Sequence, residues 1–183
     1  MSNDVKLGGG YASGMFYTAA AGTALPTYPG ASLSSWTKVG DITEDGITFG
    51  TARSFDAIKN WALEIKRMKP GTDSQTIKGA LLDTTKKTMQ LLFGDANVVE
   101  SVATQDHGDL ITVDTSVKNT PVEKAYLFIM KDGDDMMLIG TPNGYITDMD
   151  DVNFKGDEAV TWGFTISASD KFTFVSESGD TES

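Results

Sequence analysis

Pro142-Asn143-Gly144-Tyr145-Ile146-Thr147-Asp148-Met149-Asp150-Asp151-Val152-Asn153-Phe154 is followed, after Lys155-Gly156, by Asp157-Glu158-Ala159-Val160-Thr161-Trp162-Gly163-Phe164-Thr165-Ile166-Ser167-Ala168. The first stretch reads as a turn, a short strand, an acidic break and a second strand. Apolar side chains at every second position put one face of each strand in a core and leave the other polar. None of these residues reads as a nucleophile, a general base or a metal ligand. The stretch is architecture, and it turns the reading away from an enzyme.

Downstream, Thr161 to Ala168 and Phe172 to Val175 read as strands joined by Ser169-Asp170-Lys171 in a last hairpin. Upstream, Val122 to Met130 is apolar and β-rich, and Lys131-Asp132-Gly133-Asp134-Asp135 turns it into Met136-Met137-Leu138-Ile139. Val98 to Thr104 and Leu110 to Thr115 form a further pair around Gln105 to Asp109. Leu82, Met89, Leu92 and Phe93 suit the apolar face of one short helix, with Asp83 as N-cap and Gly94 as its stop. Lys86 and Lys87 lie at the unfavourable end of that helix's dipole and call for a neighbouring carboxylate.

Phe55 to Met68 fits two patterns. Phe55, Ile58, Ala62, Ile65 and Met68 make a helical stripe, whereas Trp61, Leu63 and Ile65 alternate as in a strand. The strand is preferred, from Trp61 to Arg67, returning through Thr76 to Leu82 around a loose tip at Lys69 to Ser74. Nearer the start, Met15 to Ala20 reads as a short strand, Gly22 to Ser35 as an extended loop, and Asp45-Gly46 as a turn between Trp36–Gly40 and Gly46–Phe49. Strands at this spacing, separated by turn signals, predict a mainly β protein, a sandwich or small barrel with one short flanking helix. Residues 14–175 are expected to form that domain, between a flexible Gly-rich arm (1–13) and an acidic disordered tail (176–183).

The chain has 183 residues, no cysteine, one histidine, and a net charge of -11 from 15 cationic and 26 acidic side chains. That length supports one domain with a real core. Disulfides, thiol chemistry and thiolate zinc sites are excluded. A strongly acidic chain repels polynucleotide phosphates. The dense basic clusters, Lys66-Arg67-Met68-Lys69 and Lys86-Lys87, read as solvated faces. No apolar run reaches the ~18 residues of a membrane span. The first ten residues lack the basic and apolar regions of a secretory leader.

His107 lies in a polar turn with Asp106 and Asp109, and reads as exposed rather than catalytic. Asp132-Gly133-Asp134-Asp135 has the look of a calcium loop, but Met136 to Ile139 supply no closing ligands, so it reads as a hairpin turn. Gly8-Gly9-Gly10-Tyr11-Ala12-Ser13-Gly14 has neither dinucleotide spacing, nor a P-loop lysine, nor a nucleophile elbow around Ser13. Trp36, Trp61 and Trp162 are assigned to core or subunit packing. No catalytic, cofactor or metal residues are predicted.

Three regions together resemble the major tail tube proteins of long-tailed bacteriophages with non-contractile tails, the siphovirus type. They are Gly22 to Thr27 with Trp36 to Ile47; Leu81-Leu82-Asp83 through the helix to Leu91-Leu92-Phe93-Gly94; and Asp132-Gly133-Asp134 through Pro142-Asn143-Gly144 to Trp162-Gly163-Phe164-Thr165. The resemblance implies a sandwich or barrel-like protomer with one flanking helix, six to a ring. Rings would stack into a hollow tube in the virion tail, after synthesis in the host cytoplasm. A long hairpin would bridge neighbouring rings, and its expected contact residues are Phe55, Trp61, Met68, Pro70 and Thr72. The implied partners are further copies of the chain, tape-measure, tail-tip and head-tail connector proteins, and viral DNA passing through the lumen without specific binding. No membrane insertion is expected.

Two rivals share the β pattern. One is an Ig-like adhesion or capsid decoration module. The other is a hydrolase with an acidic site built on Asp132, Asp134, Asp148 and Asp151.

Overall fold

A computed structural model describes residues 16–115 and 121–177. Among these residues, twelve strands and one α-helix follow in chain order, with one 3-10 turn, Asp95–Asn97, after the helix: β1 (Phe16–Ala20), β2 (Thr37–Gly40), β3 (Ile42–Ala52), β4 (Phe55–Lys59), β5 (Ile65–Pro70), β6 (Ser74–Leu81), α1 (Lys86–Phe93), β7 (Val98–Ser101), β8 (Leu110–Val113), β9 (Lys124–Asp132), β10 (Asp135–Met149), β11 (Trp162–Ala168) and β12 (Thr173–Glu177). The protein is mainly β, as expected. The Gly-rich arm lies outside the described residues. So does the acidic tail except its first two residues, which β12 takes in.

The main sheet runs β2-β1-β9-β10-β11-β6-β3, with β12 also paired to β10. Every pairing in it is antiparallel. Its two end strands, β2 and β3, are separated in the chain by the single residue Asp41. A sheet whose opposite ends are covalently adjacent must curl back on itself, which is the sandwich-to-barrel geometry expected. The junction is pinned on both sides of the peptide: the Asp41 amide donates to Asp83 Oδ2 at 2.8 Å, and the Leu82 amide donates to the Asp41 carbonyl at 3.0 Å. Asp83 is thus spent on the sheet closure and does not cap the helix. Thr85 takes the cap, its Oγ1 accepting from the Thr88 amide at 3.3 Å. Gly94 ends the helix as predicted, with φ 89°.

β10 is where the sheet turns its corner. Its first half, from Met136 to Gly140, lies between β9 and β12, whereas its second half, from Gly144 to Met149, pairs with β11. Between them the register against β9 slips at Thr141 to Gly144. Pro142 has no N–H to give to a ladder, so pairing lapses there. Thr141 Oγ1 stands in, donating to the Asn143 carbonyl at 2.8 Å. Pro142-Asn143-Gly144 is therefore a bulge inside one strand, not a turn between two. Bulges of this kind let one strand serve two sheets. The same corner undoes the expected last hairpin: β11 and β12 do not pair with each other but line up along one edge of β10. Val152 to Phe154 form no strand, and the chain from Asp150 to Thr161 is irregular.

Asp45-Gly46 is likewise a bulge rather than a turn. β3 passes through it, Gly46 adopts φ 69°, and the register against β6 jumps from Ile42 to Ile47. By contrast, Asp132 to Asp135 is the hairpin turn expected, with Gly133 at φ 60°.

The core lies between the two halves of the bent sheet. Phe16 stacks on Phe128 at 4.5 Å and on Phe164 at 5.2 Å between ring centroids, with Ile77, Leu81, Ile139 and Ile166 buried around them. Residues 125–130 of β9 are buried without alternation. The reason is a second, smaller cluster on the other face of the sheet, where Leu127, Ile129 and Leu138 are covered by Leu25, Leu33 and Trp36 from the loop between β1 and β2. A strand covered on both faces reads as a continuous apolar run. The helix lays Met89 and Leu92 inward, and Trp162 joins it to the sheet through Thr84 Oγ1 at 3.0 Å and an edge contact with Phe93. Lys86 finds its carboxylate in Glu100 at 3.0 Å.

Candidate interaction surface

β4 and β5 stand outside this body. They pair only with each other, and all eleven of their residues are exposed. They continue the β3–β6 ladder outward, since Ala52 pairs with Ser74 and Phe55 with Pro70. The chain thus runs out along β3 and β4 and back along β5 and β6 as one ribbon. Its outer half is an arm of roughly 20 Å at ~3.3 Å per residue.

This differs from the predicted hairpin in where it turns. Trp61 is in the turn rather than in a strand, and Lys69 to Ser74 is no tip: Pro70 is the last residue of β5 and Gly71 to Asp73 form the hinge at the arm's base. The predicted return strand exists as β6, but its partners are β3 and β11. Asn60 and Glu64 decide the position of the turn. The Asn60 amide donates to the Glu64 carbonyl at 3.0 Å, the Glu64 amide donates to Asn60 Oδ1 at 2.9 Å, and Asn60 Nδ2 donates to Glu64 Oε2 at 2.9 Å. Lys66 Nζ reaches the same carboxylate oxygen at 2.7 Å. The lysine first, then the asparagine, hold the Glu64 carboxyl below its ordinary pKa. This reciprocal pairing closes a three-residue loop, Trp61-Ala62-Leu63. Leu63 takes the left-handed position, φ 62°, that glycine usually fills in such loops.

Along the arm, cross-strand partners share a face. Phe55 lies opposite Pro70 and Ala57 opposite Met68, which makes one apolar face; Asp56 opposite Lys69 and Ile58 opposite Arg67 make the other, mixed face. Of the five residues predicted as contacts, the fold puts Phe55, Met68 and Pro70 together on the first face and Trp61, fully exposed, at the tip. Thr72 is set apart in the hinge, where its carbonyl accepts from Ser54 Oγ at 3.0 Å. Leu63 and Ile65, not among those five, are exposed on the same arm. Leu63 is 76% exposed, and together with Ile58 these residues bring the arm, within residues 55–70, to six of the fifteen exposed large apolar side chains among the described residues. A concentration of that kind on a protruding element is the mark of a contact surface. The signal for it was the turn pair Asn60 and Glu64, which separates two alternating runs.

A smaller exposed set, Val99, Val102, Leu110 and Ile111, lies on and beside the β7–β8 hairpin. β2 pairs only with β1, β3 only with β6, and β12 only with β10, so each keeps one free edge among the described strands.

The residues considered for chemistry do not converge. Asp132 and Asp134 are in the turn before β10, whereas Asp148 and Asp151 are at its far end, with most of the fifteen-residue strand between them. His107 is exposed in its turn, its Nδ1 beside the Gly108 carbonyl at 2.7 Å. Burial pushes the Tyr126 phenol well above its ordinary pKa, so it stays protonated as part of the core. Among the described residues, no three His, Cys, Asp or Glu side chains are grouped to hold a metal ion, and no helix is long and apolar enough to cross a membrane.

A curled β body with unfilled strand edges and a projecting apolar ribbon offers surfaces suited to contact with other chains. The profile of the family described as phage tail tube protein matches residues 11–177, and the chain belongs to that family. It is a structural subunit of a phage tail tube. No curated protein matches it in sequence. Similar solved structures include a chain from the tail of an empty gene transfer agent particle refined with C6 symmetry, 12% identical, covering 88% of this chain and 94% of that one at TM-score 0.44. A chain from the virion of a native gene transfer agent particle is 13% identical, covering 76% and 88% at TM-score 0.42. A chain from the sheath-tube complex of an extracellular contractile injection system is 12% identical, covering 89% of each at TM-score 0.41.

Proposed function

We propose that six copies close into a ring, that rings stack into a non-contractile, siphovirus-type tail tube, and that the arm of each copy bridges to the next ring. Phe55, Trp61, Met68 and Pro70 make the contact, and Thr72 fixes the base of the arm. The role is structural and not enzymatic. Free edges of β2, β3 and β12 are completed by neighbouring copies, because an open edge otherwise pairs indiscriminately. A ring uses each edge once and closes. DNA passes through the lumen without being held, since every added cation–phosphate contact would grip it. Tape-measure, tail-tip and connector proteins complete the tail.

The observation that carries this reading is the arm: an exposed ribbon with an apolar face and a tryptophan tip, on a chain of the tail tube family. Negative-stain electron microscopy of the purified protein at rising concentration tests it. Hollow tubes or six-fold rings are expected, and Trp61→Ala is expected to leave rings but few tubes. Discrete monomers or trimers at every concentration would overturn the reading, and unchanged tubes from Trp61→Ala would remove the arm from it.

A further inference from the structure

Charge is divided unevenly between arm and body. Residues 53–72 carry five cations, Arg53, Lys59, Lys66, Arg67 and Lys69, against Asp56 and Glu64. Both arginines of the chain are among them. The segment is therefore net +3, and the rest of the chain, with ten cations and 24 acidic residues, is net -14. Only Lys66 of the five is in an ion pair with a described residue, the Glu64 that locks the tip. The others stand on an element whose strands are exposed throughout.

Like charges this dense on one small ribbon repel one another unless a partner of opposite sign meets them. The body of the same chain is such a partner in bulk, but the arm points away from its own. A second copy meets the requirement: its body is strongly acidic, and the arm's apolar face and tip supply the area that ion pairs on a surface do not. We infer that the arm is a cationic guide whose occupant is the acidic body of a second copy, and that ring stacking is steered by this attraction. The inference rests on the ring-and-tube reading above. It adds a division of labour: the cations set how fast rings find each other, and Trp61 and the apolar face set how firmly they stay.

Light scattering of purified full-length rings, followed as salt is varied, tests it. Raising NaCl from about 50 mM to about 500 mM shortens the screening length to a few ångströms, and the stacking rate is expected to fall about tenfold or more. Arg67→Glu with Lys69→Glu is expected to give that slow rate already at low salt, with little further salt dependence. Lys171→Glu, a body cation outside the arm, is expected to leave the rate within about twofold. Trp61→Ala is expected to shorten the lifetime of stacks at every salt concentration without changing the salt slope. All of the charged positions in these variants are on the surface, so circular dichroism should match the parent. Stacking that ignores both salt and charge reversal would overturn the inference while leaving the tube reading intact. Retention of a short fluorescent DNA duplex by the parent but not by the charge-reversed arm would assign the cations to a polynucleotide instead. Absence of rings under all conditions would overturn the tube reading, and the inference with it.

Discussion

The hydroxyl of Ser54 occupies the space that a Cβ on residue 71 would need, and Gly71 is the residue opposite it. The Gly71 amide donates to the Ser54 carbonyl at 2.8 Å, and Ser54 Oγ donates to the Thr72 carbonyl at 3.0 Å. These contacts bridge the gap between the β3–β6 ladder and the β4–β5 arm, so they fix the direction in which the arm leaves the body.

Gly71→Ala therefore tests whether arm direction matters. The new methyl expels the Ser54 side chain and breaks its bond to Thr72. The hinge is on the surface, so global unfolding should shift by less than about 1 kcal/mol. Tube yield, scored by electron microscopy, should fall severalfold, and amide exchange in β4 and β5 should accelerate. Normal tubes from the variant would mean that the hinge tolerates many arm angles.

Leu63 separates backbone from side chain at the tip. A non-glycine residue in the left-handed region costs about 1–2 kcal/mol, which the Asn60–Glu64 lock must offset. Leu63→Gly relieves that strain and removes an exposed apolar side chain. Amide protection at Asn60 and Glu64 should rise severalfold, while tube yield falls as it does for Trp61→Ala. A tighter tip with undiminished assembly would show that Leu63 is not a contact.

The positions of strands were largely legible because period-two alternation is a local property: β1, β8, β9, β11 and β12 lie where it puts them. Pairing was less so. Whether Asp45-Gly46 and Pro142-Asn143-Gly144 turn the chain or only bulge it depends on which strand lies alongside, and that is set by residues far away in the sequence. Asp83 shows the same limit at one side chain. Next to a helix it satisfies every rule for a cap, but the β2–β3 closure brings the Asp41 amide to it first. For the arm, Phe55, Met68 and Pro70 could be chosen as apolar residues of a hairpin, but the tip could not be found without weighing Asn60 and Glu64 as a pair. Leu63 was hidden for a further reason: glycine, the usual marker of a left-handed turn position, is absent there.

Gly140 tests the corner of the sheet. It precedes the bulge in β10, and a Cβ there would lie 2.7 Å from the Tyr126 carbonyl oxygen and 2.8 Å from the Leu25 side chain. The carbonyl belongs to β9, which is paired on both sides by β1 and β10, and cannot move freely. Leu25 could move only by uncovering Leu127 and Leu138. Gly140→Ala is expected to lower the urea unfolding free energy by about 1–3 kcal/mol, as overpacking does. A loss below about 0.5 kcal/mol would mean that the β9–β10 spacing is looser than this geometry requires.

Glu64 gives the arm a pH dependence whose sign follows from its lock. Its folded pKa is lowered by Lys66 first and Asn60 second. A carboxylate with a depressed folded pKa contributes stability that is present above its unfolded value, near ~4.3, and is lost as pH falls through the folded value. The tip should therefore be closed at neutral pH and loosen only in acid, below the ordinary glutamate range. The carboxylate is exposed, so solvent and salt weaken the effect. Carboxyl-carbon NMR is expected to give Glu64 a midpoint below that of glutamate in the denatured chain. Lys66→Ala should move it upward, and Glu64→Gln should remove the acid loosening seen in amide exchange at Asn60 and Leu63. A midpoint at or above the denatured value would mean that the lysine and asparagine contacts do not persist in solution, and the tip would then be held by its backbone hydrogen bonds alone.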